Sequence, residues 1–240
     1  MKVSTGYPYC RELSFSRHIL QNNRGNNVKI AYKLTDLEMR TYKEFQWELG
    51  KWYETTGEGD LCSSSWLHFY NNPLVGLFMN PAHADIENPR LFRAEVEGEV
   101  LDDHGLKCGY SRARLIEELT VPQISPVQRV RFAILCAKEV YKEKEWNRWA
   151  DNWLSGKDRT KESAKSIENV FSVAEITAQS AESAFYAAIS AEIVIKSAII
   201  AFYAAESAVS AAKSTKNTVR STTKNKKIDL IKIAQKAMEE

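Results

Sequence analysis

Residues 90–101 read Arg90-Leu91-Phe92-Arg93-Ala94-Glu95-Val96-Glu97-Gly98-Glu99-Val100-Leu101. Phe92, Ala94, Val96, Gly98 and Val100 share one parity, while Glu95, Glu97 and Glu99 share the other. An apolar side and an acidic side repeating every second residue mark a strand with one face on a core and one in water. Asp102-Asp103-His104-Gly105 follows as a hairpin turn, and Lys107–Leu119 returns as strand. A lone hairpin is marginal in water, so further strands must join it. Lys29–Thr35 supplies one, with Ile30, Tyr32 and Leu34 alternating with polar residues. Glu44–Leu49 alternates similarly through Phe45, Trp47 and Leu49, and Leu61–Tyr70 follows before the break at Asn71-Asn72-Pro73. Leu74–Met79 is expected as a short helix and Asn80–Pro89 as loop. The expectation is an antiparallel β-rich domain from about residue 28 to 122.

A helix signal comes next. Ser125 can cap, Pro126 suits the first helical position, and Gln128 stands where a capping box needs it. Val127, Val130, Ile134, Ala137 and Tyr141 form an apolar stripe that Trp146, Trp149 and Trp153 continue to Gly156, a C-cap residue. This predicts a closing helix over 126–155 that covers the open face of the sheet, its tryptophans packing rather than holding a ligand.

Composition changes sharply after Gly156. All 10 Gly, 6 Pro and 6 Trp lie at or before it, and beyond it there is no Gly, Pro, Trp, Cys or His. A domain boundary is therefore expected near Ser155–Thr160. Residues 163–214 are rich in Ala and Ser and keep a seven-residue beat through Val170, Thr177, Ala184, Ala191, Ala198, Ala205 and Ala212. Ala188, Ile195, Phe202 and Val209 fall four residues after members of that series. Such spacing is one helical face, here made of small residues that admit a close partner. One unbroken helix from Thr160 to Thr222 would be on the order of 90 Å long and would need a bundle or a second copy to bury it. The oligomerisation residues expected on this reading are Ala184, Ala188, Ala191, Ile195, Ala198, Phe202, Ala205, Val209 and Ala212. A basic run, Lys213–Lys227, then leads to a short amphipathic helix over Ile228–Glu240, with Asp229 near its start. The domain reading is an extension over 1–27, an α+β domain over 28–156, and a helical region over 160–240.

The net charge of +2 argues against a strongly basic nucleic-acid binder. The basic run has no interleaved aromatics for base stacking, so nucleic acid is not an expected partner. Glu192 and Lys196 interrupt the apolar window Ser183–Ala205, which argues against a membrane span. The N-terminus shows no apolar signal core. Four scattered cysteines and four scattered histidines give no metal-ligand spacing, and reduced thiols, no metal and no cofactor are expected. One enzyme-like set remains: Arg40, the serines Ser63 and Ser65, and the pair Glu97 and Glu99. An arginine, a serine-rich strand and a Glu-x-Glu pair in that order resemble the sites of ADP-ribosyltransferases. There arginine and serine hold a dinucleotide and glutamate steadies an oxocarbenium-like transition state. Alternating glutamates are also what an exposed strand shows.

Several local patterns lie together between Ile30 and Leu119. They are Ala31-Tyr32-Lys33, Phe45 to Tyr53, Leu61-Cys62 ahead of Trp66 to His68, Asn72-Pro73, Arg93 to Val100, and Arg114 to Leu119. This combination resembles an uncharacterised domain family common in bacteriophages and prophages, whose members are often followed by Ala/Ser-rich repeats. The resemblance implies an α+β fold and a phage origin, and no established activity. Three functional expectations follow. The first is a non-enzymatic phage protein that self-assembles as a homo-oligomer through its Ala-rich helices. Its β-rich domain would bind a host or phage protein, in the virion or the host cytoplasm. The second is an ADP-ribosyltransferase-like enzyme acting on NAD, and the third is a membrane-associated oligomer.

Overall fold

A computed structural model describes residues 28–173, 186–187, 203–204, 207–208 and 228–239. Two units divide between Pro122 and Gln123. The architecture is α+β, with an antiparallel sheet in the N-terminal half and several helices.

The first unit holds β1 (Lys29–Thr35), β2 (Arg40–Thr41), β3 (Phe45–Gln46), β4 (Tyr53–Glu54), β5 (Leu67–Phe69), α1 (Pro73–His83), β6 (Arg90–Asp102) and β7 (Cys108–Leu119). The sheet runs β1-β6-β7-β4, with β5 also paired to β7, all antiparallel. β2 and β3 form a separate two-stranded ladder. The turn between β6 and β7 forms where expected: Leu106 N–H donates to Asp103 O at 2.9 Å, and His104 and Gly105 adopt φ 51° and 89°.

β1 buries residues on both of its sides: Leu34 is buried as the alternation implies, and so are Ala31 and Thr35 on the opposite side. Ala31 pairs with Ala94 and Lys33 with Phe92, while Ile30 stays exposed and Ala31 is fully buried. The reason is what packs above. Ala31, Ala94 and Ala113 leave room over the sheet, and the large rings of Trp47, Phe69 and Tyr110 fill it. Ring burial at about 25 cal/mol per Å² outweighs leaving one isoleucine in water. Trp47 comes from the segment expected as a strand over Glu44–Leu49, of which Phe45–Gln46 pairs with β2 and Leu49 makes an isolated parallel bridge to Leu115. Phe92, Ala94 and Val96 face the core as expected. The alternation breaks at Gly98, where the register shifts between Glu97 and Val100 and φ is 80°.

α1 packs against β1 and extends past the expected short helix to His83, with Pro81 inside it. Asn72 caps its start by accepting from the Leu74 and Val75 N–H groups. Asn80 exchanges two hydrogen bonds with the Ile86 backbone just beyond its end, at 2.9 and 3.2 Å. A proline in a last turn forfeits one N–H bond, and that local bracing offsets it.

The second unit holds α2 (Pro126–Val140), α3 (Lys144–Leu154), α4 (Lys161–Val173) and α5 (Leu230–Met238). The Ser125–Gln128 capping box forms in both directions, at 2.8 and 3.2 Å. The single helix expected over 126–155 is two helices. Tyr141 turns extended (φ −97°, ψ 121°), and the Glu143 carboxylate caps α3 by accepting from Trp146 N–H at 2.8 Å. The stripe expected to cover the sheet is used within this unit. Val130, Ala133, Ile134 and Ala137 share a core with Trp146, Trp149, Trp153 and Ala164, and α2 also packs on α5. The helix that packs on the sheet in the first unit is α1. Gly156 ends α3 with φ 78° and its N–H on Trp153 O, and Asp229 caps α5. Buried Arg131 donates to Leu154 O at 3.0 Å and Lys236 O at 3.5 Å, tying the carbonyl ends of α3 and α5 to α2.

The nine proposed oligomerisation residues, from Ala184 to Ala212, lie outside the described residues. Ala187 and Ala204 join the tryptophan core, and the Tyr186 and Tyr203 rings meet at 5.2 Å between centroids. Among the described residues no helix is long and apolar enough to cross a membrane.

Candidate functional site

The segment after β1 folds into a hairpin around one aspartate and one arginine. Asp36 Oδ1 accepts from the Glu38 N–H at 2.9 Å and the Arg40 N–H at 2.7 Å, while Oδ2 accepts from Arg40 Nε at 3.1 Å. The Arg40 guanidinium also pairs with Glu38 and with Glu44, the latter at 3.0 Å. Desolvation is the largest influence on the Asp36 carboxyl and pushes its pKa up. The Arg40 and Glu38 N–H bonds and the Arg40 charge outweigh it and hold the carboxyl below its usual range.

The far side of the hairpin is locked by Trp47. Its backbone N–H donates to Met39 O at 2.9 Å and its indole N–H to Thr41 Oγ1 at 3.1 Å. Its ring sits in the core against Tyr53 at 4.9 Å, Phe45 at 5.2 Å and Phe69 at 5.8 Å. Gln46 Nε2 spans the hairpin to Glu38 O at 2.9 Å. Met39, Lys43 and Glu44 adopt φ of 62°, 56° and 58°, the left-handed region that side chains avoid. Such conformations persist only where surrounding bonds over-determine them, and they concentrate at functional loops. Meanwhile Leu37, Tyr42, Phe45 and Leu49 stand 63%, 47%, 38% and 57% exposed. The result is a braced hairpin on a sheet scaffold that displays apolar side chains.

Arg40 thus holds the hairpin, and the structure does not bring it to the acidic pair. Arg40 lies beyond Thr35, which pairs with Arg90, and Glu97 is seven residues further along β6. At roughly 3.3 Å per residue that is about 23 Å. The Glu97 carboxylate is engaged by Arg112, which also reaches Glu54 at 2.6 Å, and Arg114 holds Glu95 at 2.6 Å. Trp52 lies over both arginines, with guanidinium-to-centroid distances of 4.0 and 4.8 Å. This ladder covers the polar face of the sheet. Glu99 and Ser65 do approach one another through Gly57, whose N–H donates to Ser65 O at 2.9 Å and whose added Cβ would stand 3.0 Å from Glu99 Cβ. Ser63 Oγ accepts from Ser65 N–H at 3.3 Å. His68 Nε2 bonds Leu61 O, and burial, then the nearby Lys33 charge, lower its pKa to about 4. Cys108 and Cys136 are buried free thiols, whereas Cys62 is disulfide-bonded to a partner outside the described residues, a departure from four reduced cysteines. Among the described residues no group of three or more His, Cys, Asp or Glu could hold a metal.

Sequence reading missed Lys33. It sits on a core face of β1, half-buried, with Nζ donating to His68 O at 2.7 Å. Nζ lies 5.2 Å from the centroids of both the Trp47 and Phe69 rings. Burial is the main cause that lowers its pKa, to about 8. The available signal was parity: Lys33 shares a side of β1 with Ala31 and Thr35, which becomes visible only once that side is known to be core as well.

With this geometry in place, residues 29–126 match the family described as a domain of unknown function, DUF7666. The matched span runs from β1 to the first residue of α2, so it contains the hairpin, Lys33 and the whole sheet. No curated protein and no solved structure matches the chain.

Proposed function

We propose that the chain is a non-enzymatic protein-binding protein that engages a protein partner through the hairpin at residues 36–47. The observation that carries this reading is the exposure of Leu37, Tyr42 and Phe45 on a hairpin pinned by Arg40 and Trp47 despite three left-handed residues. A preorganised apolar surface binds with little ordering cost. The Ala-rich region adds self-association, a reading supported by the seven-residue beat of small residues. The setting as a virion-associated or host-directed phage factor is supported by the sequence resemblance alone.

The test is a photo-crosslinking residue at Tyr42, with one at Trp52 as the control face. A discrete heterologous adduct at Tyr42, absent at Trp52 and lost in Leu37→Ser/Phe45→Ser, is the expected result. Equal adducts at both positions would sink the reading. For self-association, light scattering should show an oligomer that Ala191→Glu/Ala198→Glu dissociates, and a monomer in both cases removes that part.

A further inference from the structure

Lys33 has no counter-ion among the described residues. Its ammonium carries three N–H donors. One is used on His68 O, and neither a carboxylate nor any second acceptor takes the others. The groups around it are the Trp47 and Phe69 rings, neutral His68, and Cys108, whose thiol is pushed up to about 12 chiefly by burial. Among the described residues of this unit, Arg40 pairs with Asp36, Arg90 with Glu118, Arg112 with Glu97, Arg114 with Glu95, and Lys51 with Glu48. A cation enclosed by rings without an anion invites one. Lys33 is half-buried, while Trp47 and Phe69 beside it are buried.

Trp47 links this amine to the hairpin. Lys33 Nζ is 5.2 Å from the Trp47 centroid, and the Phe45 centroid is 5.2 Å from the same ring. The exposed Phe45 ring and the amine are therefore at most about 10 Å apart, roughly three residues of extended chain.

We propose that Lys33 is a carboxylate-binding site, and that the carboxylate belongs to an acidic residue of the partner segment seated on the hairpin. This deepens the hairpin reading by assigning the partner an apolar residue and, a few positions away, an acidic one. The Trp47 and Phe69 rings exclude water on two sides of the ion pair, which strengthens it relative to a surface pair.

The test uses the full chain with isotope-labelled lysine, titrated with sodium acetate, sodium phosphate and sodium chloride at matched ionic strength and followed by NMR, with Lys33→Arg assigning the signal. A saturable shift of the Lys33 ε-methylene in acetate, half-complete at a millimolar level that corresponds to about 3–4 kcal/mol, is expected. Chloride should produce none, and Lys51 should not follow. Lys33→Met should also cut the Tyr42 crosslink by roughly tenfold, a loss of about 1.4 kcal/mol. A Lys33 response no larger than that of Lys51, the same response to chloride, or saturation by phosphate with none by acetate would each overturn the carboxylate site. Acetate saturation with an undiminished Tyr42 crosslink in Lys33→Met would overturn the partner as its source. If acetate saturates at Lys33 but wild type gives no Tyr42 adduct, the hairpin reading fails while the carboxylate site stands.

Discussion

Arg40 grips Asp36 twice, through its backbone N–H to Oδ1 at 2.7 Å and through its Nε to Oδ2 at 3.1 Å. The residue chosen from sequence as a dinucleotide holder is thus the fastener of a hairpin. Arg40→Ala should leave Asp36, Glu38 and Glu44 facing one another without their shared cation. Amide exchange at Trp47, whose N–H rests on Met39 O, should then speed up by roughly tenfold or more, while exchange at Ala94 in the sheet stays unchanged. Arg40→Lys should rescue little, because a point charge cannot reach three carboxylates as a planar fork does. Unchanged Trp47 exchange would show that the aromatic packing alone holds the hairpin.

Lys33 should make stability depend on alkaline pH. Its folded pKa of about 8 lies below its ordinary value of 10.5. Folding therefore penalises the charged form; the full penalty is present below about pH 8 and fades as pH rises toward 10.5. Lys33→Met should be more stable than wild type at pH 7 by about 1–3 kcal/mol, with the gap narrowing through that window. Denaturant midpoints at pH 7 and pH 10 read it directly, and a gap that widens with pH contradicts the burial account.

Acid should act through two histidines. His83 Nδ1 meets Tyr70 OH at 3.2 Å, with the rings stacked, and burial chiefly lowers its pKa to about 3; that of His68 falls to about 4. Both stay neutral in the folded state while the unfolded chain binds protons from about pH 6.5 downward, so stability falls as pH drops through that range. His83→Gln should remove about one proton's worth of the slope between pH 6 and 4. An unaltered slope would place the acid sensitivity elsewhere.

The bulge in β6 should tolerate only glycine. Gly98 has φ 80°, and an added Cβ would lie 2.2 Å from Ser111 Oγ, which accepts from Glu99 N–H at 2.8 Å. Gly98→Ala should cost roughly 2–4 kcal/mol, since strain and clash combine. Adding Ser111→Ala should recover the clash but not the strain. Gly50, also at φ 80° but with open space around it, should lose only about 1 kcal/mol on the same substitution. Thermal melts of the three variants would separate the two costs.

Local chemistry was legible. β1 occupies the residues its alternation indicated, the β6–β7 turn forms at Asp103–Leu106, and the Ser125–Gln128 box and Asp229 cap helices as their side chains imply. The helix break at Tyr141 was not legible, because Tyr-Lys-Glu-Lys-Glu contains no breaker and its cause is packing of the tryptophan face of α3. The separation of Arg40 from Glu97 was not legible either, since chain order says nothing of distance along the sheet.

Sequence by itself determined where strands, turns and caps form, because those depend on neighbours within a few residues. Only the tertiary structure decided that the side of β1 carrying Ala31, Lys33 and Thr35 is core as well, since Trp47 and Phe69 arrive there from distant segments. That same choice turned Lys33 inward between two rings, with no carboxylate partner among the described residues, and so created the feature on which the carboxylate proposal rests.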